Sequence, residues 1–136
     1  MFLNQNSMTR QEITNLRPRE FSKWIREYLP DSSTGFCVCD LDWVMFNVLT
    51  KELILLEEKT RNGQVANWFR LLIRNVIHPA LKEYCPKHGI KYYGFHLIQF
   101  ENTSPIDGEI YFDYKKIDVQ KLIKILSFEH FKDNYH

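Results

Sequence analysis

The chain has 136 residues, 44% of them hydrophobic and 26% charged, with 18 Lys and Arg against 17 Asp and Glu. That size and mixture describe one domain over residues 1–136, able to bury a core without disulfides or a structural metal. A net charge of +1 argues against a protein that coats nucleic acid through bulk electrostatics, but a local basic groove remains open.

Cys37, Cys39 and Cys85 are odd in number, and their spacing matches neither a paired CxxC site nor a secreted disulfide framework. Reduced thiols in a cytoplasm are the expectation. The first residues carry no basic stretch leading into a long apolar run, so neither a signal peptide nor a membrane span is expected.

Thr9 with Glu12 has the form of a capping box, and Phe21, Trp24, Ile25 and Tyr28 fall at helical spacing before Pro30. These predict an N-terminal amphipathic helix. Asp31 to Gly35 is loop chemistry. Phe36 to Val48, rich in Val, Phe and Trp, then suits a strand. A turn at Thr50 returns the chain through the apolar run Leu53 to Leu56, which makes the two segments a hairpin in the centre of a sheet. After Asn62-Gly63, the residues Val65, Trp68, Phe69, Leu72 and Val76 recur at spacings of three and four, the pattern of a helix laid on a sheet. Pro79 is expected to interrupt it and to start a second piece that ends before Pro86. Tyr92 to Phe100 and Glu109 to Tyr114 are strand-like, with Asp107-Gly108 in the connecting turn, and Asp118 can cap a last helix through Leu122, Ile123 and Leu126.

Side chains alternate along a strand, so Glu57 and Lys59 share a face while Glu58 points the other way. By the same rule Asp40 and Asp42 share a face of the preceding segment, among Cys, Val, Leu and Trp. Carboxylates half-buried in a sheet are costly unless something compensates them. If the two segments pair, Asp42 and Glu57 can converge on one divalent cation, with the Glu58 backbone carbonyl as a further ligand. All-oxygen ligation suits Mg²⁺ or Mn²⁺ better than Zn²⁺. Such a cation activates water and stabilises charge on a phosphate during displacement, and Lys59 beside it can orient the attacking water. The chemistry implied is hydrolysis of a phosphodiester.

A helix, a strand with Asp42, a strand ending Glu57-Glu58-Lys59 and a helix opening at Gln64 together resemble the core of the PD-(D/E)XK nuclease superfamily. In size the chain is similar to Holliday-junction resolvases and small viral nucleases. The resemblance spans most of the chain as an order of elements, whereas its motif content is Asp42, Glu57 and Lys59. It implies an α/β fold with a restriction-endonuclease-like core, that is, a mixed four-to-five-stranded central sheet flanked by helices. It also implies a Mg²⁺-dependent deoxyribonuclease, with Mn²⁺ able to substitute, in which Asp42 and Glu57 hold metal and Lys59 is the catalytic lysine. Leu41 stands where many members have proline. Glu20 occupies the place of an additional acid in some members, Asp40 is a further candidate acid, and Gln64 with Trp68 resembles a Gln-x-x-x-Tyr element.

Arg61, Gln64, Arg70 and Arg74 are candidates for contact with nucleic acid, although Arg70 and Arg74 equally suit a solvated helix face. The same ambiguity holds for Lys115, Lys116, Lys121 and Lys124. The five histidines have no metal-ligand spacing, and Trp24, Trp43 and Trp68 are core or interface candidates before they are stacking platforms. So small a nuclease is expected to act on DNA as a homodimer, with Trp24, Phe128 or Phe131 as apolar contact. Two other readings stay open: an inactive nuclease-fold protein that binds nucleic acid or a host protein, and a structural protein of a virus or mobile element whose acids are surface charges.

Overall fold

A computed structural model describes residues 16–35, 37, 38, 40–61 and 63–132. Thr9, Glu12, Cys39 and His136 lie outside the described residues. The chain divides into two compact units, Met1–Val38 and Cys39–His136.

In the first unit, helix α1 (Leu16–Tyr28) carries Phe21, Trp24 and Tyr28 at the predicted spacing. Their rings contact in series, Phe21 to Trp24 at 6.2 Å and Trp24 to Tyr28 at 5.3 Å between centroids. After Pro30 a 3-10 turn (Ser32–Thr34) is organised by Asp31, whose carboxylate accepts from the Ser33 backbone N–H at 2.9 Å.

The second unit is α/β, with a mixed five-stranded sheet flanked by helices. Its strands are β1 (Trp43–Asn47), β2 (Glu52–Thr60), β3 (Lys91–Phe100), β4 (Ile110–Phe112) and β5 (Lys115–Ile117), in the order β1-β2-β3-β4-β5. All neighbours run antiparallel except β2 and β3, which are parallel. A parallel pair needs a crossover. Helix α2 (Asn67–Leu72), a π-helical turn (Ile73–Ile77) and α3 (His78–Lys87) supply it.

Several expectations are corrected here. The strand predicted from Phe36 begins only at Trp43, and β1 is an edge strand rather than a central one. Asp40 and Asp42 therefore lie ahead of it on irregular backbone, where strand alternation no longer puts them on one face. Pro79 falls in the first turn of α3, the second helical piece expected there, but that piece follows the helix before it without a loop. The preceding turn widens to π geometry, with the His78 N–H donating to the Ile73 carbonyl, and so accommodates a residue that lacks the donor of a regular turn. Pro86 likewise lies inside α3. β5 has no sequence signal, because three residues are too few to show a period.

Residue Asn47 makes the β1–β2 turn: its side-chain Oδ1 accepts from the Leu49 and Thr50 N–H groups at 2.8 and 3.0 Å. Lys51, at φ 63°, completes the reversal. At the other end of the fold Asp118 caps helix α4 (Val119–Leu126) as predicted, accepting from the Lys121 N–H at 2.8 Å.

Each face of the sheet has its own cover. Ile54, Leu56, Tyr93, Ile98, Phe100, Ile110 and Phe112 pack with Leu122, Ile125, Phe128 and Phe131 from α4, the turn after it and the short α5 (Glu129–Lys132). Phe128 and Phe131 are thus buried in the core, which removes them as dimer contacts. On the opposite face Phe69 of α2 meets Phe95 edge-on at 5.9 Å. What lets β3 serve both layers is a bulge. Leu53 pairs with Tyr92 but Leu55 with Phe95, so β3 carries one extra residue, at Gly94 with φ 105°. Tyr93 stacks on Phe131 at 4.8 Å on one face, and Phe95, Leu97 and Gln99 point to the other.

Candidate functional site

The site lies where β1 stops and β2 continues. Trp43 pairs with Leu56, so residue 42 is the first beyond the ladder, level with Glu57. There a side chain takes over from a backbone acceptor: Asp42 Oδ2 accepts from the Glu58 N–H at 2.8 Å. In a strand a residue's N–H and C=O leave on the same side. The Glu58 carbonyl therefore points into the space that β1 vacates. The side chain of Glu58 goes to the other face, where it accepts from the Trp43 indole N–H at 2.9 Å.

Glu57 is only 7% exposed, and Lys59 Nζ stands 3.4 Å from its Oε2. The other oxygen, Oε1, is buried and has no hydrogen-bond partner among the described residues. Burial pushes the Glu57 carboxyl above the usual range, the neighbouring charge of Asp42 pushes the same way, and Lys59 pulls against both. A buried oxygen without a donor is costly and rare. The donor set of two carboxylates and a backbone carbonyl fits a hard divalent cation, which would take up the orphaned oxygen and relieve the repulsion between the acids. Among the described residues no group of three His, Cys, Asp or Glu side chains forms a metal cluster, so the carbonyl would be the third protein ligand.

Sequence reasoning missed Gln99, which pairs with Lys59 across the parallel ladder and is 5% exposed. Its Nε2 donates to the Gly63 carbonyl at 3.0 Å and so fixes the loop leading to Gln64. The signal was present: a lone amide in the apolar run Leu97-Ile98-Gln99-Phe100.

Comparison with known protein families, with curated proteins and with solved structures yields no match. What the site can do follows from its geometry alone.

Of the expected residues, Asp42, Glu57 and Lys59 come together, while Glu58 contributes through its backbone. Asp40 is exposed on the irregular segment, and Glu20 belongs to the first unit. The groups proposed for nucleic acid divide. Arg70 and Arg74 line a hollow of about 330 Å³ with Val65, His78, Leu97 and Tyr114. Leu97 is the register partner of Glu57, so this hollow adjoins the acid pair. Arg70 donates to the Tyr114 hydroxyl at 2.9 Å, which ties the crossover helix to the β4–β5 turn. Arg61 and Gln64 are exposed outside the hollow, Arg61 donating its backbone N–H to the Asn102 carbonyl at 3.0 Å. The basic cluster of the C-terminal half is partly engaged, since Lys116 pairs with Glu109 at 2.8 Å.

Proposed function

We propose that the protein is a Mg²⁺-dependent deoxyribonuclease that hydrolyses phosphodiester bonds, with Mn²⁺ able to replace Mg²⁺. The observation that carries this reading is the acid pair: Asp42 at the end of β1, and Glu57 beside it with one oxygen against Lys59 and the other buried without a donor among the described residues. The order of hairpin, crossover helix and parallel strand supports the resemblance to PD-(D/E)XK nucleases. Asp42, Glu57 and the Glu58 carbonyl would hold the cation, which supplies charge to offset that building on the phosphate and makes water a better nucleophile. Lys59 reaches solvent and orients the attacking water. Arg70 and Arg74 bind the phosphates that run past the site.

DNA is the partner, and the chain works as a homodimer. Exposed Val44 and Phe46 on edge strand β1 support self-association. Light scattering at high concentration should return twice the chain mass, and a strict monomer would contradict it. Among the described residues no helix is long and apolar enough to cross a membrane, and the free thiols Cys37 and Cys85 accord with a cytoplasmic setting, the host's if the protein is viral.

A cleavage assay with Mg²⁺ on linear duplex, single-stranded and branched DNA tests the activity. Wild-type protein should cut at least one, with Asp42→Asn, Glu57→Gln and Lys59→Met each slower by about 100-fold or more. Equal activity, or equal inertness, of wild type and Glu57→Ala on all three would remove catalysis from this site. Among the described residues only two carboxylate side chains meet here, which favours a second reading, a nuclease fold that binds nucleic acid or a protein without turnover. In that case DNA binding survives Glu57→Ala and Mg²⁺ gives no calorimetric signal.

A further inference from the structure

A larger cavity, of about 890 Å³, opens at the opposite end of the sheet, where β2 and β3 begin. Small-molecule sites typically measure about 300–1,000 Å³. Pro86, Ile90, Tyr92 and Tyr93 give it an apolar and aromatic wall. Glu52, 4% exposed, lies at its base. Both oxygens of that carboxylate are taken: the Thr50 hydroxyl donates to Oε1 at 2.6 Å and the Tyr93 hydroxyl to Oε2 at 2.8 Å.

Three ammonium groups surround the same hollow: Lys82 from α3, Lys91 from β3 and Lys132 from α5. Among the described residues none of the three is in an ion pair. Like charges that converge from separate elements repel one another, and with Glu52 they leave the lining two positive charges in excess. A cavity lining with that excess of exposed amines favours an anion over a neutral or cationic ligand.

We propose that this cavity binds a phosphate monoester of nucleotide size. A phosphoryl group carries close to two negative charges at neutral pH, which matches the excess, and its oxygens accept charge-assisted hydrogen bonds from the amines. The apolar wall takes the ring-bearing remainder, and Glu52 holds that wall in place through Thr50 and Tyr93. Glu52 and Glu57 are five residues apart on β2, about 16 Å, and point to opposite faces. The cavity is therefore separate from the acid pair, and its ligand does not depend on the nuclease reading.

Calorimetric titration of the full chain with AMP, adenosine, inorganic phosphate and citrate tests this. AMP should bind saturably at one site, inorganic phosphate more weakly, and adenosine and citrate without saturation. Lys91→Gln and Lys132→Gln should each weaken AMP about tenfold, while Lys124→Gln, a lysine outside the cavity, changes nothing. Unchanged melting temperatures would assign the loss to binding rather than folding. Absence of saturable AMP binding, an affinity indifferent to both lysine substitutions, or citrate binding as tightly as AMP would overturn the proposal. Inorganic phosphate binding as tightly as AMP would overturn the role of the wall.

Discussion

Glu57 is held in a conflict that its neighbours only half resolve. Lys59 satisfies Oε2, but among the described residues Oε1 has no donor, and Asp42 adds a second negative charge nearby. An amide at this position can present its oxygen to Lys59 and its N–H groups to Asp42. Glu57→Gln should therefore stabilise the protein without added divalent cation by about 1 kcal/mol, a few degrees in Tm at this size. If the acid pair holds Mg²⁺ as proposed, Mg²⁺ should raise the Tm of the wild type but not that of Glu57→Gln, and thermal scans with and without Mg²⁺ check both outcomes. Glu52 is the opposite case. Burial would raise its carboxyl, but hydrogen bonds from Thr50 and Tyr93, helped by the charges of Lys132 and Lys91, hold it below the usual value of 4.5. Its unfolded form then binds a proton at a pH where the folded form does not, so its contribution to stability is present above pH 4.5 and is lost as pH falls through the lowered value. Glu52→Gln should be less stable than wild type at neutral pH, and denaturant titrations should show the gap closing on acidification below that point.

At the scale of elements, the Gly94 bulge decides which residues of β3 join which layer. An ideal Cβ there would stand 3.2 Å from His96 Nε2, and φ is 105°. His96 has little freedom to yield, since Nδ1 contacts Asp113 Oδ2 at 2.6 Å and Nε2 contacts the Tyr93 carbonyl at 2.8 Å. Gly94→Ala should cost about 1–3 kcal/mol in chemical denaturation. The alternation that pairs Glu57 with Lys59, the helical spacing after Gly63 and the Asp118 cap were all legible, because each is a local period or a local hydrogen bond. The start of β1, the bulge, the π-helical turn before Pro79 and the continuation of α3 through Pro86 were not. Each depends on a partner strand or a packing face supplied from elsewhere in the chain. Asp42 shows both sides of this: its convergence with Glu57 followed from hairpin pairing, but it reaches the site as the first residue past a strand, not as a member of one.

For the whole molecule, the burial of Phe128 and Phe131 could not be read from their own segment, since their contacts are with Tyr93 and its neighbours in the sheet. The same architecture sets an order of assembly. Asp42, Glu57 and Lys59 belong to a single hairpin, whereas β3 ends forty residues after β2. Hairpins close in about 1–10 μs, but at ribosomal speeds the last forty residues of that interval take about 2–8 s to add. Throughout that wait the nascent chain presents Leu53 to Leu56 on a ribbon with one edge unclaimed, a ready template for sticking to its neighbours. Asp42 and Glu57 set charge at the far end of that apolar run, and charge beside an exposed strand edge disfavours pairing between copies.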